Sequence, residues 1–341
     1  MDITSRCHVL TATLYPWFDS QWQQLNKLLA AGKLPHALII NGAKGIGKLH
    51  LAGSIARLVL CQNAYQAGAD QGQACGQCHS CQLFDSSGHP DLYHLTPEEG
   101  AQIKVDQVRD LSHFMHNTAQ QGGYRVVILN PAEAMNISAA NAMLKTLEEP
   151  GEKSLLLLIA DQLGQVMPTI KSRCQRIDCP KPSAEVAVPW LSDALDMPHD
   201  QAQKLLNVVH GAPLLGLSFK SGGDQSLRGE LIIGLKSVLQ QKVSPLDLAS
   251  KYAKADALVL ISWLYSLLVD VSKLHLAGED CEIVNADMRK MLHTLSQRSN
   301  IHDIHKLADK VQGHRNALLA RQNPNKQLLL EDLFLDWKNL I

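Results

Sequence analysis

An α/β domain on a parallel sheet, followed by an all-helical C-terminal part, is the fold class this sequence predicts. Three observations carry it. Tyr124–Leu129 and Ser154–Ala160 carry continuous apolar runs rather than alternation, as strands covered on both faces do. Such runs alternate with stretches of helical periodicity. From about residue 224 onward only helical spacing remains, as in Leu231, Leu235, Val238 and Leu239.

In order, Tyr15-Pro16-Trp17 opens the ordered chain, and a helix through Leu25, Leu28 and Leu29 ends at Gly32 and Pro35. His36–Ile40 is a short buried strand. Gly42-Ala43-Lys44-Gly45-Ile46-Gly47-Lys48-Leu49 follows, and then a helix through Leu51, Ile55, Leu58 and Val59 to about Cys61. Residues 62–82 are rich in Gln, Gly, Ala and Cys, so they need a cross-link to hold a shape. His89–Leu95 alternates like a strand, and Val105, Val108, Leu111 and Met115 mark a helix. Gly122-Gly123 is a turn before the strand Tyr124–Leu129. Residues 138–149 have high helix propensity, and Pro150 stops them. The strand Ser154–Ala160 follows, Ile177 begins one more, and Pro180-Lys181-Pro182 is a boundary. Short helices run from 183 to the turn at Gly222-Gly223.

A chain of 341 residues with 45% hydrophobic content supports two or three domains with real cores. A net charge of −1 gives no polybasic character. No uninterrupted apolar run approaches the length of a membrane span, and Met1–Arg6 lacks the features of a signal peptide, so a cytoplasmic location is expected.

Four of the eight cysteines fall in the pattern Cys61-x13-Cys75-x2-Cys78-x2-Cys81. Two-residue spacings let neighbouring sulfurs converge on one ion, and four thiolates complete a structural zinc site. His79 or His89 could replace one of them, and an iron–sulfur cluster or free thiols are the competing readings. The Gly42–Lys48 stretch has the spacing of a phosphate loop, in which Gly42, Gly45 and Gly47 would close on phosphate and Lys48 would neutralise it. Leu49 stands where a hydroxyl would ligate magnesium. The strand Tyr124–Leu129 is followed by Asn130-Pro131 where an acidic pair would hold the metal, and Glu133 is displaced from that place. Two independent losses argue against hydrolysis, and ATP binding is doubtful. Arg173, in Ser172-Arg173-Cys174, is either a solvated charge or a cation offered to another subunit's nucleotide.

His36-Ala37-Leu38, the glycine loop, the four cysteines, His89-Pro90-Asp91, Ala139–Pro150 and Ser172-Arg173-Cys174 occur in one order and spacing. Over about residues 15–220 the chain resembles the bacterial clamp-loader subunits of the AAA+ superfamily. The resemblance implies an AAA+ (RecA-like) core over 1–178 with a zinc module at about 61–82. It also implies a small helical lid domain over 179–223 and an all-α collar domain over 224–341. It implies a hetero-pentamer with gamma or tau subunits and a delta subunit, which places a sliding clamp on primed DNA for a DNA polymerase. Arg173 would then be an arginine finger reaching in trans to the ATP of the adjacent gamma or tau subunit. Leu49, and Leu214 where an active loader has arginine, match the subunit type that binds no functional ATP and acts as a rigid stator. Two other readings are a self-sufficient ATPase and a zinc-dependent nucleic-acid-binding module.

Overall fold

The computed structural model describes residues 10, 12–64, 72–97, 102–319 and 324–341. The opening residues 1–6, and residues 65–71 of the cysteine-bearing insert, lie outside these. Two compact units emerge. One runs to Asp193 and takes in Gly211–Leu215, and the other comprises Ala194–His210 and Gly216–Ile341.

The first unit is built on five strands: β1 (Ala37–Gly42), β2 (Leu92–Leu95), β3 (Arg125–Leu129), β4 (Ser154–Ala160) and β5 (Gln175–Cys179). They form one sheet in the order β2-β3-β4-β1-β5, and every pairing is parallel. Parallel neighbours need crossovers, which the helices supply. These are α2 (Lys48–Leu60), α3 (His79–Asp85), α4 (Val105–His116), α5 (Ile137–Glu148) and α6 (Pro168–Lys171), while α1 (Asp19–Ala30) precedes the first strand. α7 (Ala184–Leu195) follows them in the chain. This is the parallel-sheet core that the AAA+ resemblance implies.

The apolar strands are explained by burial on both faces. Leu38, Ile40, Val126, Ile128, Leu155, Leu157 and Ile159 pack with Leu51, Ile55 and Leu60 of α2. Their alternates Ala37, Ile39, Val127, Leu129, Leu156 and Leu158 pack with Val108, Leu111 and Met115 of α4 and Met143 and Leu147 of α5. Each such side chain contributes roughly 1.5–3 kcal/mol on burial, so both faces are strongly specified.

Local chemistry moves the boundaries. α5 begins at Ile137 because the Asn136 side chain accepts the Ala139 N–H at 2.7 Å. β2 starts only at Leu92; before it the His89 ring and the Asp91 carboxylate are held by buried polar contacts, while the Asp91 carbonyl already accepts the Val126 N–H at 2.9 Å. α3 has no hydrophobic signature; the sulfur of Cys78 caps it.

The second unit is entirely helical among its described residues. It contains α8 (His199–Val208), α10 (Asp224–Leu239), α11 (Pro245–Tyr252), α12 (Ala257–Ala277), α13 (Arg289–Arg298), α14 (Ile301–Leu319) and α15 (Lys326–Lys338), with α9 (Pro213–Ser221) entering it. Leu231, Leu235, Ile261, Leu264, Leu268, Leu292, Ile304, Phe334 and Trp337 form its core. Among the described residues, α12 alone is long and apolar enough to cross a membrane by length and composition. Asp270 and Lys273 interrupt it, and its apolar stripe belongs to this core. Asp270 is fully buried and accepts the N–H groups of Val284 at 3.1 Å and Asn285 at 2.7 Å. A carboxylate in that position is tolerated because its oxygens are satisfied.

Candidate functional site

β1 ends at Gly42 and α2 begins at Lys48, so the glycine loop lies at the edge where the strands end. Gly45 and Gly47 have φ of +80° and +96°, backbone that a side chain rarely adopts. In a phosphate site these turns would aim N–H groups at an anion on the N-terminus of α2. Here the glycines are packed against protein. A Cβ on Gly45 would fall on Leu215, and one on Gly47 would lie 2.6 Å from the Tyr15 ring and 3.2 Å from Leu214. The Leu214 N–H donates to the Gly45 carbonyl at 3.0 Å. Trp17 Nε1 donates to the Ile46 carbonyl at 2.8 Å, and Trp17 stacks on Tyr15 with ring centroids 4.9 Å apart. Leu49 turns toward the same apolar core.

Lys48 is 4% exposed, and its amine donates to the Ala43 carbonyl at 2.7 Å and to Asp161 at 2.6 Å. Asp161 thus supplies an anion to the Lys48 amine, and a hydrogen bond to a charged group contributes roughly 1.5–3 kcal/mol. Its position follows from the register: Asn41 pairs with Ala160, so the residue after β4 stands beside the loop. Glu133 holds that residue in turn. Its Oε1 accepts the N–H groups of Asp161 at 3.0 Å and Gln162 at 3.1 Å, while its buried Oε2 has no hydrogen-bond partner. Burial, helped by the charge of Asp161, raises the Glu133 carboxyl above the usual carboxylate range. Glu133 is therefore a bracket between the ends of β3 and β4.

The four cysteines converge. Sγ atoms of Cys61, Cys75, Cys78 and Cys81 all lie within 4.8 Å of one another, and the Cys61 and Cys78 sulfurs are 3.9 Å apart. Tetrahedral zinc with bonds near 2.3 Å places its sulfurs about 3.8 Å apart, so the cluster fits a four-coordinate metal ion. Backbone N–H groups point at the sulfurs: Cys75 to Cys61 at 3.3 Å, Cys78 to Cys75 at 3.3 Å and Cys81 to Cys78 at 3.5 Å. The N–H groups of Gln77 and Cys78 hold the Cys75 thiol down at about 6, whereas burial pushes Cys61 and Cys81 up. His79 is exposed and outside the cluster. His89 is occupied elsewhere. Its Nδ1 accepts the Asp91 N–H at 3.1 Å, which leaves the proton on Nε2 to donate to Ser80 Oγ at 2.6 Å. Ser80 passes its own proton to the Leu60 carbonyl at 2.6 Å. This chain fastens α3 to the end of α2 and is assigned from its donor–acceptor logic. Asp91, fully buried beside it, accepts the N–H groups of Gln120 at 2.7 Å and Gln121 at 2.8 Å.

Arg173 follows α6 and precedes β5, at the edge where the strands begin. Its side chain is 37% exposed. Nε and Nη2 donate to Glu148 Oε1 at 2.9 and 2.6 Å, and Nη1 donates to the Thr169 carbonyl at 3.1 Å. The loop residues and Arg173 are not brought together. β4 spans seven residues, and at about 3.3 Å per residue the two edges are roughly 20 Å apart.

The sequence reading named the glycines, Lys48, the cysteines and Arg173 but missed Asp161, Glu148 and Ser80. An acidic residue directly after an apolar strand was the available signal for Asp161, though only the strand order puts it next to Lys48. Glu148 stands inside the Ala139–Pro150 motif, but nothing in that run names Arg173 as its partner, and Ser80 carries no signal.

Comparison with known proteins agrees along the whole chain. The family model described as "DNA polymerase III, delta subunit" matches residues 18–183, and "DNA polymerase III, delta subunit, C terminal" matches residues 224–339. A Pseudomonas aeruginosa protein named DNA polymerase III subunit delta' is 38% identical over 96% of this chain and 98% of its own length. Proteins of the same name from Yersinia pestis and Escherichia coli are 34% and 31% identical. The first covers 96% of this chain and 96% of its own length, the second 94% and 94%.

One prediction concerns the attachment of the cysteine cluster. Burial lowers the His89 pKa from the ordinary 6.5, so the unfolded chain takes up a proton before the folded one. Its stabilising contribution is present above 6.5 and is lost as pH falls below that value. The melting temperature should therefore fall on acidification from neutrality, with a shallower slope in His89→Asn, where the amide oxygen can still accept the Asp91 N–H. Equal slopes in differential scanning fluorimetry would sink this assignment.

Proposed function

Because this chain belongs to the DNA polymerase III delta' family of clamp-loader subunits, we propose that it is a non-hydrolysing ring member that completes a neighbour's ATPase site with Arg173. It would join gamma or tau and delta subunits in a hetero-pentamer, in the cytoplasm, and would reach the sliding clamp and primed DNA through that complex. The observation that carries this reading is the separation within its own sheet. Arg173 lies at the starting edge of the strands and the glycine loop at the finishing edge. An arginine there cannot serve the chain's own loop, but it can face a phosphate held by an adjacent subunit.

Three features support the absence of a working site in this chain. Leu49 offers no metal ligand, Asp161 occupies the Lys48 amine, and Tyr15, Leu214 and Leu215 pack against the glycines. The four thiols are read as a structural zinc site, since four protein ligands leave no open position for chemistry. Zinc would be held by Cys61, Cys75, Cys78 and Cys81 and would pin the insert to the end of α2. Residues 179–223 would act as the lid and 224–341 as the collar that holds the ring together.

Three outcomes are expected. In the reconstituted complex, Arg173→Ala should lower ATP turnover by on the order of 10³-fold, and near-normal clamp loading by that ring would overturn the reading. The isolated chain should show no saturable ATP binding in a fluorescent-nucleotide titration; binding that Lys48→Ala abolishes would instead favour a self-sufficient ATPase. Purified chain should contain about one zinc by elemental analysis, and Cys75→Ser should lose it together with thermal stability. Iron or no metal at all would contradict the zinc assignment.

A further inference from the structure

We propose that Glu148 is the positioning residue for Arg173, fixing the guanidinium so that its two remaining N–H donors, one on each terminal nitrogen, are offered to phosphoryl oxygens of a nucleotide on a neighbouring subunit; this rests on the reading of Arg173 just given.

The geometry is specific. Glu148 Oε1 receives both Nε and Nη2, and the Thr169 carbonyl receives Nη1. All three nitrogens are thereby held, and the plane of the fork is set. A guanidinium so engaged keeps one unused N–H on Nη1 and one on Nη2. That pair is the fork that recognises a planar or tetrahedral oxyanion on two oxygens at once. With the side chain 37% exposed, the fork is open to a partner.

Glu148 is itself held more firmly than a surface glutamate at a helix end needs to be. It is the last residue of α5, and the carbonyls on both sides of it are fastened. His36 Nε2 lies 3.0 Å from the Leu147 carbonyl, and His116 Nε2 lies 3.1 Å from the Glu149 carbonyl. One residue pair earlier, Thr146 Oγ1 and Ser112 Oγ are 2.6 Å apart. Just beyond, Gly151 lies so close to the Met115 carbonyl that a Cβ would clash with it. Helix fraying is thus suppressed at the one turn that presents the carboxylate. Orientation matters because a misplacement of about 1 Å in a group serving a transition state can cost ~10²-fold in rate.

The test uses the reconstituted clamp-loader complex with the sliding clamp and primed DNA. Glu148→Gln keeps the shape of the side chain but removes its charge and should lower kcat for ATP roughly 10- to 100-fold while leaving KM unchanged. In an Arg173→Ala complex the same substitution should change nothing further, because its only effect runs through the arginine. Size-exclusion chromatography and melting curves of each variant complex establish assembly, and Glu148→Asp, which keeps the charge on a shorter stem, should recover part of the loss. Two results overturn the proposal while leaving Arg173 as the finger: full activity of Glu148→Gln where Arg173→Ala is inactive, or an equal loss from Glu148→Gln in both backgrounds. A fully active Arg173→Ala complex removes the underlying reading and this proposal with it.

Discussion

Burial of both faces of the five-stranded parallel sheet is the constraint on which the first unit depends. Leu38, Ile40 and Leu157 are committed to one face and Ile39, Val127 and Leu158 to the other. The polar groups of the candidate site lie at the two edges where strands begin and end. In parallel strands these edges are chemically distinct, since all carboxyl ends point one way. The glycine loop, Asp161 and Glu133 share the finishing edge, and Glu148, Thr169 and Arg173 share the starting one. The separation of the glycine loop from Arg173 is a property of the sheet.

At the finishing edge, protein groups engage the glycine loop one by one. Asp161 supplies the anion for Lys48. Leu214 donates its N–H to the Gly45 carbonyl, and Tyr15, Leu214 and Leu215 pack against the glycines. Glu133 Oε1 accepts two backbone N–H groups. The Lys48 amine and the N–H groups of Asp161, Gln162 and Leu214 are thereby satisfied, where unpaired they would cost stability. The loop is thereby a well-packed strand–helix junction.

The cysteine-bearing insert follows the same economy on a smaller scale. It has almost no large apolar side chains, so hydrophobic burial cannot fold it. Converging sulfurs, N–H groups directed at them, and the His89–Ser80–Leu60 hydrogen-bond chain replace a core. Two of these links end on Leu60 and Cys61, so the module is anchored where the glycine-loop helix finishes.

Much of this was legible from residue order alone. Apolar runs fixed the strands because burial on both faces removes the usual alternation, and leucine spacing marked the helical C-terminal part. The cysteine spacing foretold convergence, since two-residue steps limit how far neighbouring sulfurs can separate. Missing ligands at Leu49 and Asn130-Pro131 were equally visible, because an absent hydroxyl or carboxylate needs no coordinates. What the tertiary structure decided was every pairing between distant residues. Asp161 meets Lys48 only because β4 lies beside β1, and Glu148 meets Arg173 only because α5 and α6 end at the same edge. Leu215 reaches Gly45 from far along the chain. Such partners are chosen by strand order and packing, which periodicity does not encode. The glycine loop could thus be recognised from sequence as lacking its usual metal ligands, and only the fold could disclose which protein groups pack against it.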